Sequence, residues 1–94
     1  MEFEWDPVKS DDNFAKHGVS FEHAQAIWAD VHVEITSLAR SNDGESRNAT
    51  MGRIGSKLYV AIWTMRHGKI RLISVRRSRP NEEKTFMAKV QDRA

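Results

Sequence analysis

Cysteine is absent from the 94 residues, so the chain has neither a disulfide framework nor a thiolate metal site, which suits a reducing cytosol. It has no unbroken apolar run long enough to span a bilayer, and Met1 is not followed by a charged-then-apolar leader. Membrane insertion and secretion are therefore not expected, and the cytoplasm is. Three catalytic frameworks are also missing: a glycine-rich phosphate loop, two histidines at ligand spacing on one helix, and a Gly-x-Ser-x-Gly elbow. His17, His23, His32 and His67 are scattered over turns and separate elements, so no metal site and no cofactor are expected. There are no repeats, linkers or low-complexity segments, and the length suits one domain over residues 1–94.

Charge is plentiful and unevenly placed. Residues 1–50 carry 4 Lys/Arg against 10 Asp/Glu, a balance of −6, whereas residues 51–94 carry 11 against 3, a balance of +8. If the fold keeps these halves apart, one surface attracts polyanions and another repels them; if the halves pack together, the charges largely pair. The densest basic stretch is Lys69–Arg77, which is also the clearest strand. Ile70, Leu72 and Ser74 alternate with Arg71, Ile73 and Val75, so both faces are apolar through the middle, as in a central strand. Arg76 and Arg77 then leave its end on opposite faces, where guanidinium groups suit phosphate.

The remaining elements follow from punctuation. Phe3 to Trp5 reads as a short edge strand, and Asp6-Pro7 as a helix start leading to a stop at Gly18. Ser20 caps a second helix whose apolar stripe is Phe21, Ala24, Ile27 and Trp28. Val31 to Ile35 alternates as a strand, and Thr36 to Gly44 reads as a loop. Two-residue turns at Gly55-Ser56 and His67-Gly68 then define a meander over Glu45–Ile54, Lys57–Arg66 and Lys69–Arg77. This register predicts rows such as Arg47-Thr64-Arg71 and Met51-Val60-Val75 on one, aliphatic face. The other face is mixed aromatic and polar, with Asn48-Trp63-Leu72 and Gly52-Tyr59-Arg76. Helices are expected to cover the aliphatic face more fully, and a slip of one residue would exchange the faces. Asn81 to Gln91 reads as a C-terminal helix with Glu82 and Glu83 at its electropositive start. The fold class is α+β: an antiparallel sheet of three to four main strands, two N-terminal helices and one C-terminal helix.

Such a set of residues can cut RNA without a metal. The 2′-hydroxyl is a built-in nucleophile, so the protein supplies a proton acceptor, cations for the charge on phosphorus and a donor for the leaving oxygen. His17 carries an imidazole, the side chain suited to proton exchange near neutral pH, but a histidine at a helix end also complements the macrodipole. Arg66 either forms a surface ion pair with Glu45 or holds phosphate with Glu45 orienting it; Arg47 and Arg71 crowd the same rim. Arg76 beside Tyr59 flanks a base-stacking surface, Arg77 extends or merely solvates the strand end, and Glu82 is either a base or a first-turn helix carboxylate. Trp63 reads as core or protein interface.

At Lys16-His17-Gly18-Val19-Ser20-Phe21, and again at Arg71-Leu72-Ile73-Ser74 followed by Arg76, the sequence resembles the BrnT toxins of bacterial type II toxin–antitoxin modules. Trp5-Asp6, Lys9, Asn13, Ala24, Glu45, Arg47, Gly52, Arg66 and Glu82 continue the match over most of the chain. The resemblance implies a RelE-like ribonuclease that inhibits translation by cleaving RNA. It also implies a BrnA-type antitoxin in a hetero-oligomer, which reaches operator DNA only through the antitoxin. Taken with the residue chemistry above, the candidate residues are His17, Arg66, Arg76 and Glu82 for catalysis and Lys16, Arg47, Arg71 and Arg77 for RNA. The chain departs from the family pattern at Glu83, where arginine is usual, and at Phe86, where tyrosine is. A non-catalytic module that holds nucleic acid or an acidic protein on a basic face is the alternative.

Overall fold

Two tight turns organise the chain in the computed structural model, which describes residues 1–35 and 46–92. Gly55 has φ +64°, and His67 and Gly68 have φ +55° and +76°. The His67-Gly68 turn is thus of the kind with both central residues left-handed, whose twist matches that of the flanking strands. They join β3 (Asn48–Ile54), β4 (Lys57–Arg66) and β5 (Lys69–Arg77). The β3–β4 pairing follows the expected register throughout, from Asn48 opposite Trp63 to Ile54 opposite Lys57. Glu45 and the Thr36–Gly44 loop lie outside the described residues.

Two short strands complete the sheet. β1 (Phe3–Glu4) pairs with β5 in parallel, and β2 (His32–Glu34) pairs antiparallel with β3, giving the order β1-β5-β4-β3-β2. The α+β class holds, but the sheet is five-stranded and mixed rather than antiparallel with three to four strands. Lys69–Arg77 is an interior strand, as expected, flanked by β1 and β4, and β4 is the middle one of the five. A two-residue strand has no periodicity to read, so its parallel pairing was not legible.

Capping sets the helices. α1 (Pro7–His17) begins where the Asp6 carboxylate accepts the Val8 N–H at 2.9 Å, and it ends at Gly18, φ +74°, whose N–H donates to the Phe14 carbonyl. Ser20 Oγ accepts from the His23 N–H to start α2 (Phe21–Ala24), and α3 (Ala26–Ala29) follows after Gln25, so the expected second helix is two short segments. α4 spans Pro80–Asp92.

The sheet is covered on both sides. Val19, Phe21, Ala24 and Ile27 pack on Ala61, Ile70, Leu72 and Val75. On the opposite face Phe86 of α4 packs among Val33, Ile35, Ala49, Met51 and Val60. This reverses the expected cover, because the aromatic-polar face receives α2 and α3 while the aliphatic face receives only α4. Small residues explain it. A Cβ on Gly52 would sit 2.9 Å from Ile27 Cγ2 and 3.1 Å from the Ile27 carbonyl oxygen, so glycine there admits α3 at close range.

A β-bulge alters the β4–β5 ladder. The pairing runs as expected from Arg66 opposite Lys69 to Trp63 opposite Leu72, then slips by one. Ser74 now faces Ile62, Val75 faces Ala61, Arg76 faces Val60 and Arg77 faces Tyr59. Val75 thereby joins Leu72 and Ile70 in the core beneath the N-terminal helices, fully buried. Burying a valine contributes about 1.5–3 kcal/mol that a serine at the same point does not. Arg76 is consequently not beside Tyr59; it stands on the α4 face, and the Arg77 guanidinium lies 5.7 Å from the Tyr59 ring centroid.

Asn13 fixes the bulge from outside. Its Oδ1 accepts from the Val75 N–H at 3.0 Å, and its Nδ2 donates to the Val75 carbonyl at 2.8 Å and the Val19 carbonyl at 2.9 Å. β1 pairs only with Ile70 and Arg71, so beyond them this buried amide takes the place of a neighbouring strand.

Candidate functional site

Lys9, Asp12, Asn13, Lys16 and His17 recur at i, i+3, i+4, i+7 and i+8, which puts them on one stripe of α1. That stripe runs along β5 at the bulge. With Ile73 and Ser74 it lines an open groove of about 220 Å³. The wall is rigid for a local reason: Asn13 is hydrogen-bonded to β5, and Ser10, one turn earlier, accepts the Phe21 N–H at 3.0 Å and locks the corner into α2. Lys9, Asp12, Lys16 and His17 are exposed, and among the described residues neither lysine has a carboxylate within ion-pair distance. Two ammonium groups, an imidazole, a carboxylate and a hydroxyl therefore meet in one solvent-open groove. Chemically that set can hold a phosphodiester and move protons.

The strand arginines are placed differently. Arg71 Nη1 donates to Glu4 Oε2 at 2.8 Å, across the β1–β5 pair. Lys69 lies 3.7 Å from Glu2 in an exposed contact of little energetic weight. Arg76 meets Glu82 through two parallel bonds, Nη1–Oε1 at 2.9 Å and Nη2–Oε2 at 2.7 Å, and also donates to the Arg77 carbonyl. Glu82 Oε1 accepts the Arg79 N–H at 2.8 Å as well, which is half of a capping box at the start of α4. The hydrogen bonds from Arg76 hold the Glu82 carboxyl below the usual carboxylate range despite burial, with the Arg79 N–H and the two guanidinium charges acting the same way. The same bonds raise Arg76. A carboxylate with both oxygens engaged and its acidity increased is a poor proton acceptor, so Glu82 braces α4 against β5.

The predicted site residues thus fall into separate places. His17 and Lys16 share the groove. Arg76 and Glu82 form one unit, with the bulge bringing Arg76 to the face that carries Arg71. Arg66, in register with Lys69 beside the His67-Gly68 turn, is six residues along β4 from the partner of Arg76, about 20 Å away at 3.3 Å per residue. Arg47 immediately precedes β3, and Glu45, the expected partner of Arg66, lies outside the described residues. Arg77 stacks on Tyr59 on the opposite face. The groove that His17 lines does not include Arg66, Arg76 or Glu82.

The sequence reading missed Lys9, Asp12 and Ser74 as groove residues. The helical spacing of Lys9, Asp12 and Lys16 was available as a signal, and Ser74 interrupts the apolar series Ile70, Leu72. Two other positions are explained by packing. Trp63 is half-buried, donates from Nε1 to Thr50 Oγ1 at 2.8 Å and meets Trp28 edge-on at 6.3 Å, as a core residue does. Phe86 is fully buried beneath the Arg53 guanidinium, and Glu83 accepts the Ser78 hydroxyl at 2.8 Å.

Among the described residues no three His, Asp or Glu side chains converge as a metal-binding group. No helix among them is long and apolar enough to cross a membrane. A family model described as "Ribonuclease toxin, BrnT, of type II toxin-antitoxin system" matches residues 5–82. No curated protein matches the chain.

Proposed function

Because this chain belongs to the BrnT family of ribonuclease toxins from type II toxin–antitoxin systems, we propose that it is a metal-independent endoribonuclease that inhibits translation and cuts RNA in the groove between α1 and the β5 bulge. The observation that carries this reading is the convergence of Lys16 and His17 with Ser74 in a groove whose lysines form no ion pair among the described residues. Lys16 holds the scissile phosphate and His17 exchanges a proton with it. Arg47, Arg66 and Arg77 extend contact to flanking nucleotides, while Arg71, Arg76 and Glu82 support the sheet and α4 through their ion pairs. The family implies a protein antitoxin and an RNA target. We assign the partner as a BrnA-type antitoxin in a hetero-oligomer, with operator DNA reached only through it, in the cytoplasm.

The test is incubation of purified protein with single-stranded RNA in EDTA, read on a denaturing gel. Cleavage by the wild type is expected, with a loss of about a hundredfold or more in His17→Ala and Lys16→Ala. Intact RNA throughout, or variants that cut like the wild type, removes the assignment. The second reading, a non-catalytic binding module, is motivated by Glu83 and Phe86, which stand where the family pattern has arginine and tyrosine. It predicts salt-sensitive RNA binding with no scission.

A further inference from the structure

Asp12 is out of place in a groove that only binds. It is exposed between Lys9 and Lys16 on the α1 stripe, and it makes no ion pair with either among the described residues. A carboxylate there repels every phosphate that the lysines attract. Removing it would improve the affinity of a mere RNA clamp. A groove that breaks the strand, however, needs a group to take the 2′-hydroxyl proton, and Glu82 is committed elsewhere.

We infer that Asp12 is the proton acceptor for the 2′-hydroxyl and that Lys9 and Lys16 bind the phosphates on either side of the nucleotide being cut. The inference rests on the ribonuclease reading above. Lys9 and Lys16 are seven residues apart, about 10 Å along the helix axis, with Asp12 between them and His17 beside Lys16. In the reaction the 2′-O–H proton passes to the Asp12 carboxylate as the 2′-oxygen forms its bond to phosphorus. The P–O5′ bond breaks, and the imidazolium of His17 gives its proton to the departing 5′-oxygen. The products are a 2′,3′-cyclic phosphate and a 5′-hydroxyl, with no water or co-reactant consumed. Attack in line with the leaving oxygen requires a nucleotide free to leave A-form stacking, so the substrate class is single-stranded RNA. Among the described residues that line the groove, the titratable groups beside Asp12 are Lys9, Lys16 and His17 on its own helix; β5 contributes Ile73 and Ser74, which do not titrate near neutrality.

The experiment measures cleavage of a short single-stranded RNA and, separately, affinity for the same strand with a 2′-deoxy nucleotide at the cut site. Asp12→Asn is expected to bind the uncleavable strand as tightly as the wild type or more so, yet cleave the RNA at least about a hundredfold more slowly. Lys9→Ala is expected to weaken binding and lower the salt slope by about one unit. Both positions are exposed, and a circular dichroism melt at the wild-type temperature confirms that the fold is intact. Cleavage by Asp12→Asn within threefold of the wild type overturns the catalytic role, and unchanged binding in Lys9→Ala overturns the phosphate contact. If the wild type itself leaves RNA uncut, the ribonuclease reading fails and takes the role of Asp12 with it. The Lys9 measurement then still decides whether the groove holds RNA.

Discussion

Replacing Glu82 by glutamine tests whether the Arg76–Glu82 pair is a brace or a piece of catalytic machinery. Glutamine keeps the shape and one acceptor oxygen but loses the charge and one of the two parallel bonds to Arg76. Glu82 is 5% exposed and Arg76 22%, so the guanidinium is left largely out of water with a neutral partner. Removing one member of a buried pair costs about 3–5 kcal/mol, and the partial exposure of Arg76 reduces that to about 2–3 kcal/mol. In a domain of this size that corresponds to a fall in Tm of about 8–24 °C. The acid dependence has a definite sign. The folded carboxyl lies below its unfolded value, so its stabilisation is fully present above the unfolded pKa and is lost as pH falls through the folded one. The gap in Tm between wild type and variant should therefore be full at neutral pH and close in acid. Calorimetric melts across that range measure it. Equal melting temperatures at neutral pH, or a gap that widens in acid, would refute the brace. Cleavage measured well below the variant's Tm should stay close to the wild type; a loss there with the fold intact would return Glu82 to the chemistry.

Two further substitutions probe how the sheet receives its helices. Gly52→Ala forces a Cβ to within 2.9 Å of Ile27 Cγ2 and near the Ile27 carbonyl, and should cost about 1–3 kcal/mol, read as a lower urea midpoint with unchanged slope. Asn13→Asp replaces the amide that donates to the Val19 and Val75 carbonyls by an oxygen facing them. A loss of about 2–4 kcal/mol is expected, together with faster hydrogen exchange at the Val75 amide; unchanged exchange there would show that Asn13 does not hold the bulge.

Much of the local structure was legible because its causes are local. Asp6-Pro7 and Gly18 bound α1, Ser20 opens the next turn, and the glycines at 55 and 68 fix two hairpins, so β4 and β5 begin and end where the turns require. The candidate site was legible in composition more than in arrangement. His17 and Lys16 were singled out and do line a groove, whereas Arg66, Arg76 and Glu82 were grouped with them by chemistry and lie apart from it. Lys9 entered only as part of the family match, and Asp12 not at all, because a charged helix stripe has meaning only beside the surface it faces.

By itself the sequence determined the order of elements, their caps, the β3–β4 register and the concentration of positive charge after residue 51. Each of these depends on neighbours a few residues apart, or on a turn that forces two strands to meet. Tertiary structure decided the rest. Whether Ser74 or Val75 enters the core depends on what packs above β5, and Asn13, 62 residues away, supplies the hydrogen bonds that let the ladder slip. That one-residue slip sent Arg76 to Glu82 and Arg77 to Tyr59, and set the bulge against the lysines of α1. Side-chain alternation cannot reveal it, because a bulge is selected by the free energy of burial and hydrogen bonding across the whole sheet.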